Sequence, residues 1–266
     1  MAPVRNQQLK RRIKLGLAPS MVAFYHRVSD HQPNGWTIAR AEFVRHLDEM
    51  QRRGPFVHLD EVQTRVRAGE NRECTFSITF DDGYADNEAF ALPMLLERNI
   101  PVTYFVSTAH IENRRPFGHD VAAGVPLAVH SVAALRRWSD AGIEIGGHTR
   151  DHVDLSQATD PQTLHEQIIA DKDRLEQLIG RAVRFFAFPF GLPRQLTMPA
   201  IRAVKQAGYE GFCSAFGGYN TPARDAFHIR RFHGDPEWNR MKNWLSFDRR
   251  KLDLEPEIQL PDEVCG

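Results

Sequence analysis

The sequence is poor in cysteine and has no net charge. Its 266 residues include three cysteines, Cys74, Cys213 and Cys265. These are too few and too scattered for a disulfide framework or a zinc knuckle, and they suit a reducing compartment. Lys plus Arg equals Asp plus Glu, 34 of each. The balance gives the chain no bulk electrostatic attraction to nucleic acid or to an anionic membrane, so neither is expected as a partner.

A long apolar run is also absent. Residues 15–25 are largely apolar, but Pro19 and Ser20 interrupt them, and a membrane-spanning helix needs about 20 apolar residues. No small-residue cleavage pattern follows, so a secretory signal peptide is not predicted. The expectation is a cytoplasmic protein without an integral membrane segment.

Apolar runs with strand character alternate with segments of helical periodicity along most of the chain. This alternation predicts an α/β fold, a distorted (β/α) barrel with seven or eight mostly parallel strands. With 42% apolar residues, a single catalytic domain over residues 21–250 is expected, between a basic N-terminal segment (1–20) and a loosely held C-terminal tail (251–266). The predicted strands cover residues 21–25, 75–80, 102–106, 143–145, 185–188, 211–214 and 227–231.

Two motifs carry the chemistry: TFDDG at residues 79–83 and HTRDH at residues 148–152. Each follows a predicted strand, and parallel barrels assemble their sites at the carboxyl ends of strands. One carboxylate and two imidazoles would hold a divalent ion and leave positions open for water and substrate. The remaining aspartate would then be free to act as a base. The softness of this ligand set favours Zn²⁺.

Structural alternatives exist for both motifs. An Asp-Asp-Gly sequence is also common in turns and helix caps. Two histidines four residues apart, on one helical turn, can meet one ion or simply face solvent. Asp151 could accept a hydrogen bond from a ligand imidazole or lie on the surface.

These motifs, together with FPFG at residues 188–191, resemble the polysaccharide deacetylases, the NodB-type domain of carbohydrate esterase family four. The resemblance covers residues 21–232. It implies that Asp81 is the catalytic base and that Asp82, His148 and His152 bind the metal. It also implies that the Phe190 N–H, flanked by Pro189 and Gly191, binds the oxyanion. The alternative for FPFG is an ordinary strand end and turn.

The sequence departs from the family pattern beside the base. Many members have an arginine that orients the base where this chain has Ala187, and many have tyrosine where Phe190 stands. Arg230 and Arg231 are the candidates to supply the missing cation, and Arg184 is a weaker one.

A second departure concerns the general acid. Family members usually provide it from a C-terminal Leu-x-x-His, which is not found after Arg231. Residues 24–28, FYHRV, are instead similar to the circularly permuted branch that deacetylates poly-N-acetylglucosamine, in which a first strand ending in Tyr-His supplies the acid. His26 is therefore the expected acid, and a buried histidine at a strand end is the alternative.

The expected function is metal-dependent deacetylation of an N-acetylated oligo- or polysaccharide. An O-deacetylase or a small-amide hydrolase would use the same residues. A rival of a different class is a non-catalytic carbohydrate-binding derivative of the enzyme, but such a derivative would have lost Asp81 or a metal ligand.

Overall fold

The computed structural model of the protein describes residues 2–158 and 160–252. Residues 253–266, most of the predicted tail together with Cys265, lie outside the described residues. Eight strands form one sheet, and every neighbouring pair is parallel. They are β1 (Ser20–Tyr25), β4 (Thr75–Phe80), β5 (Val102–Val106), β6 (Glu144–Gly147), β7 (Phe185–Ala187), β8 (Gly211–Cys213), β9 (His228–Ile229) and β10 (Arg231–His233).

The strand order, β10-β1-β4-β5-β6-β7-β8-β9, nearly closes the sheet into a barrel. The two edge strands, β9 and β10, are joined in sequence through Arg230, so one stretch of chain pairs with both β8 and β1. The prediction of a distorted (β/α) barrel is confirmed. A separate two-stranded sheet contains β2 (Arg27–Val28) and β3 (Thr37–Ile38).

Helices surround this sheet, as the alternation of strands and helices predicts. They are α1 (Ala2–Lys14), α2 (Arg40–Gln51), α3 (Leu59–Arg67), α4 (Ala91–Glu97), α5 (Thr108–Asn113), α6 (Gly118–Ala122), α7 (Val132–Asp140), α8 (Pro161–Leu164), α9 (Ala170–Ile179), α10 (Met198–Gln206) and α11 (Trp238–Leu245). A π-helical turn, His165–Ile169, joins α8 to α9. Within the described part of the chain, no helix combines the length and the apolar character needed to cross a bilayer.

Two helical details depend on tertiary contacts. The basic N-terminal segment contains α1, which is held by tertiary contacts: Arg5 donates to Asn243 at 2.7 Å and pairs with Asp248 at 2.6 Å. The helical stretch between β4 and β5 is broken at Phe90, where φ is −151°. The preceding turn is pulled toward β1, because the Asn87 side chain bonds the carbonyl of His26 at 2.8 Å.

Candidate active site

A cavity of about 350 Å³ opens at the carboxyl ends of the parallel strands. This volume falls in the range of small-molecule sites. The lining residues combine carboxylates, imidazoles and apolar rings, a mixture that suits both chemistry and recognition. They are Phe24, His26, Trp36, Asp81, Asp82, His119, His148, His152, Phe188, Phe190, Leu192, Ala215 and His233.

The end of β4 supplies both carboxylates. Asp81 continues the strand, and its N–H donates to the carbonyl of Tyr25 at 2.9 Å. At Asp82 the chain turns into the left-handed region with φ 73°, a conformation that non-glycine residues seldom adopt. Both carboxylates are buried, and each meets different partners. Backbone strain of this kind concentrates at functional sites.

Arg231 is the cation beside Asp81. Its two terminal nitrogens donate to the two carboxylate oxygens at 2.7 and 2.9 Å, a bidentate pair. The guanidinium is fully buried between the rings of Phe24 and Phe105, 4.9 and 5.2 Å from their centroids. Burial raises the pKa of Asp81, but Arg231, together with His148 and His26, more than offsets it, and the pKa lies below its ordinary value. Asp81 is therefore ionised at neutral pH.

The other two arginine candidates lie elsewhere. Arg230 donates to the carbonyl of His228 at 3.0 Å. Arg184 pairs with Glu144 at 2.6 Å and with Asp60 at 2.9 Å. Strand alternation explains the difference between neighbours, since Arg230 and Arg231 point to opposite faces of the strand. Among the three candidates, Arg231 alone bonds Asp81.

Replacing Arg231 by methionine should lower the free energy of unfolding at pH 7 by about 3–5 kcal/mol, because it leaves a buried carboxylate unpaired. In the native protein the pair stabilises above the pKa of an unfolded aspartate, about 3.9, and this contribution is lost as the pH falls through the lower folded pKa. In Arg231→Met, burial without the cation should raise the pKa of Asp81. The deficit should therefore shrink between pH 7 and pH 5.

Urea denaturation at both pH values measures this deficit. Arg202→Met is the matched control, since it makes the same change at an exposed position of α10, away from Asp81, and should not change the pH dependence. A deficit for Arg231→Met that is the same at both pH values would contradict the pairing.

Asp82, His148 and His152 form a compact cluster whose donor atoms lie within 4.8 Å of one another. The Asp82 Oδ1 atom lies 3.5 Å from Nε2 of His148 and 3.2 Å from Nε2 of His152. Burial raises the pKa of Asp82, but His152 and then His148 more than offset it, and the pKa stays well below its ordinary value. The cluster therefore offers an ionised carboxylate oxygen and two ring nitrogens.

This cluster fits a divalent metal ion. Ligands bound 2.0–2.1 Å from a tetrahedral Zn²⁺ lie roughly 3.3 Å apart, close to both separations from Asp82 Oδ1. That oxygen is buried and accepts no hydrogen bond from the described residues, which is otherwise costly. An ion coordinated there would satisfy it.

The histidine loop is not the helical turn considered from the sequence. Thr149 and His152 both have left-handed backbones, with φ 57° and 55°. His148 Nδ1 donates to the carbonyl of Ala187 at 2.7 Å, which leaves Nε2 directed at Asp82. Asp151 contacts Gln167 and two arginines rather than a ligand imidazole.

His26 follows β1 and lines the cavity beside the carboxylates. Its Nε2 lies 4.0 Å from Asp82 Oδ2, and its buried Nδ1 has no hydrogen-bond partner among the described residues. Burial lowers the pKa of His26, while Asp82 and Asp81 oppose that shift without overcoming it. The imidazole therefore faces the site without belonging to the three-residue cluster.

The FPFG segment forms the turn after β7. Phe190 has φ 61°, and Gly191 follows with φ 56°. A side chain at Gly191 would meet the backbone nitrogen of Ala215 at 2.7 Å, so glycine is required there. The Phe190 ring is half exposed and lies 5.3 Å from the ring of His152. The Phe190 N–H donates to no acceptor among the described residues. Pro189 sits between Phe188 and Phe190 in this turn and does not line the cavity.

Several cavity residues were not predicted from the sequence, among them His233, His119 and Trp36. His233 ends β10 two residues after Arg231, so strand alternation could have placed it on the same face. His119 belongs to the short helix α6, which carries no recognised motif. The Trp36 ring lies 4.7 Å from the His26 ring and is 45% exposed.

A family model and one of two curated relatives with similar sequences have deacetylase descriptions. The polysaccharide deacetylase family model matches residues 68–212. YxkH of Bacillus subtilis, named as a candidate polysaccharide deacetylase, is 22% identical over 192 residues, which are 71% of this chain and 62% of that protein. The uncharacterised B. subtilis protein YlxY is 24% identical over 159 residues, 58% of this chain and 43% of that protein. The chain thus spans less than two thirds of the length of these two relatives.

Two solved structures share the fold. The Streptococcus pyogenes deacetylase PplD, in complex with acetate, superposes with a TM-score of 0.71 at 19% identity, covering 90% of this chain and 100% of that one. IcaB from Ammonifex degensii gives 0.72 at 23% identity, covering 86% and 97%. These likenesses concern the fold, whereas the family model covers more than half of the sequence. The chain belongs to the polysaccharide deacetylase family.

Proposed function

We propose that the protein is a metal-dependent deacetylase that removes acetyl groups from an N-acetylated carbohydrate. The observation that carries this proposal is the pairing of two carboxylates in one cavity. Asp82 faces two imidazoles at metal-ligand spacing, while its neighbour Asp81 is held by an arginine. Asp82 is therefore placed to bind the metal, and Asp81 is placed to act as the base.

The residues divide the reaction between them. The ion, Zn²⁺ by ligand type, supplies Lewis-acid activation when bound by Asp82, His148 and His152. Asp81 accepts the proton of the attacking water, and Arg231 fixes the direction of its oxygens. The Phe190 N–H, which has no acceptor among the described residues, donates to the oxyanion. His26 gives a proton to the leaving nitrogen.

The exposed apolar side chains at the cavity support a sugar over a small amide. Trp36, Phe190 and Leu192 are 45%, 53% and 40% exposed, and all three line the cavity. Aromatic rings gain from covering apolar surface, and the C–H faces of a pyranose present such surface. A small amide has too little surface to cover these rings.

The assay that tests the proposal is acetate release. Purified protein loaded with Zn²⁺ should release acetate from N-acetylated chitooligosaccharides faster than from O-acetylated sugars or acetamide. Faster release from O-acetylated sugars would favour the O-deacetylase, and faster release from acetamide would favour the small-amide hydrolase. Binding without any release would favour the carbohydrate-binding derivative, although Asp81 and the three ligand candidates are all present.

Replacing His26 by alanine should lower turnover on N-acetylated sugars by about 10²–10⁴-fold, the range for a lost acid or base group. Turnover on 4-nitrophenyl acetate should fall far less, because a nitrophenolate leaves without a proton. Metal content should stay at the wild-type level, since His26 is outside the cluster. Steady-state kinetics on both substrates, with metal analysis, measures these outcomes.

His233→Ala is the matched control for His26→Ala. It removes another imidazole from the same cavity wall and should not separate the two substrate types. An equal loss on both substrates in His26→Ala would assign His26 to binding or structure.

A further inference from the structure

The loop that carries His148 and His152 is tied to the helical stretch 161–179 by one glutamine. Gln167 Oε1 accepts from the N–H of Asp151 at 3.0 Å, and Gln167 Nε2 donates to Asp151 Oδ2 at 2.9 Å. The carbonyl of Gln167 also accepts from the N–H of Arg150 at 3.2 Å. Three hydrogen bonds therefore join Gln167 to the two residues between Thr149 and His152.

We propose that Gln167 is a positioning residue, which holds the histidine loop in the conformation that directs His152 at Asp82. The proposal rests on the metal site put forward above. Gln167 itself does not line the cavity, so its effect must pass through the loop.

The loop needs such support because its backbone is strained. Thr149 and His152 are both in the left-handed region, which β-branched and bulky residues avoid. These two residues flank Arg150 and Asp151, the two that Gln167 holds. A loop released from Gln167 would relax toward ordinary backbone angles, and the His152 ring would turn away from Asp82 Oδ1, now 3.2 Å distant.

The position of Gln167 depends on a local irregularity of the helix. Gln167 is the middle residue of the π-helical turn His165–Ile169, and it is buried. Single π turns inside α-helices are uncommon and occur often at functional sites. Such a turn shifts the following residues around the helix axis, so the turn decides which side chain faces the histidine loop.

The chemistry of the contact calls for an amide at position 167. The side chain must accept from a backbone N–H and donate to a carboxylate at once, which glutamine does and glutamate does not. Glutamate there would place a negative charge against Asp151. If Asp151 is changed to asparagine at the same time, the donor and acceptor exchange sides, and both hydrogen bonds can form again.

This exchange defines the experiment. The Zn²⁺ dissociation constant is measured by competition with a chelator for wild type, Gln167→Glu, Asp151→Asn and the double variant. Gln167→Glu should weaken Zn²⁺ binding about 10–100-fold, the range for losing a group that orients a metal ligand, because Gln167 orients His152 through the loop. Asp151→Asn should stay within a few-fold of wild type, and the double variant should recover most of the loss. Gln177→Glu makes the same chemical change at an exposed position of α9 and should have no effect.

Each outcome decides between the two proposals. If wild type does not bind Zn²⁺, the metal site itself is wrong. If wild type binds and Gln167→Glu binds equally well, the positioning role is wrong. If Gln167→Glu binds Zn²⁺ more weakly and the double variant does not recover the affinity, the positioning role is also wrong. The contact between Gln167 and Asp151 would then not be the cause of the weaker binding. Circular dichroism at the assay temperature verifies folding. If Gln167→Glu does not fold, Gln167→Ser replaces it, since it removes the contact without adding charge and should weaken binding about tenfold or more.

Discussion

Replacing Asp81 by asparagine is expected to reduce turnover on an N-acetylated oligosaccharide by about 10²–10⁴-fold, the range for loss of a general base. The amide oxygen can still accept from one terminal nitrogen of Arg231, whereas the amide NH2 cannot accept from the other, and the side chain cannot take a proton from water. Metal content should remain near the wild-type value, because the Asp81 oxygens bond Arg231 and not the imidazoles of the cluster. Turnover is measured by acetate release and metal content by elemental analysis.

Asp82→Asn is the companion variant for Asp81→Asn. The two substitutions are chemically identical and adjacent in sequence. Asp82→Asn should nevertheless reduce metal binding as well as turnover, whereas Asp81→Asn should reduce turnover alone. Near-normal turnover in Asp81→Asn would remove Asp81 as the base. Loss of metal from Asp81→Asn to the same extent as from Asp82→Asn would show that the two carboxylates act as one ligand group.

Removing any one of Asp82, His148 or His152 is expected to abolish stoichiometric metal binding. A site with three protein ligands has no replacement within reach, since the described residues contain this one cluster of three with donor atoms within 4.8 Å. The alanine variants should therefore purify with little metal and, for that reason, little activity. Elemental analysis after dialysis against a defined Zn²⁺ concentration measures the loss.

Stability must be separated from metal binding in these variants. His148 is buried and bonds Ala187, so His148→Ala also leaves a cavity and an unpaired carbonyl. His152 is more exposed, at 15% of its side chain, and its removal is the cleaner test. His119→Ala is the control, because His119 lines the cavity outside the cluster and should keep its metal. If one of the three alanine variants keeps its full metal content, the residue replaced in that variant is not a metal ligand.

The sequence was most informative about strands whose bounds depend only on neighbouring residues. Strands such as β4 and β5 were predicted with the bounds that the structure has, because continuous apolar runs between polar turns leave few other folds open. TFDDG spans the end of β4 and HTRDH follows β6, and the carboxyl ends of parallel strands meet at one edge of the sheet. Their proximity was therefore predictable from strand order.

Only the tertiary structure distinguishes Arg231 from Arg230. It also identifies the residues at or near the site that belong to no sequence motif. Two adjacent arginines are equivalent in composition, and the choice depends on which face of β10 points into the barrel. Gln167 acts on Asp151 sixteen residues away, through a π turn that helical periodicity does not reveal. Trp36, His119 and His233 come from a loop, a short helix and the last strand, and they meet only when the barrel nearly closes. The residue types of the candidate site were thus readable in the sequence, whereas their orientation and support depend on long-range packing, which a local pattern does not encode.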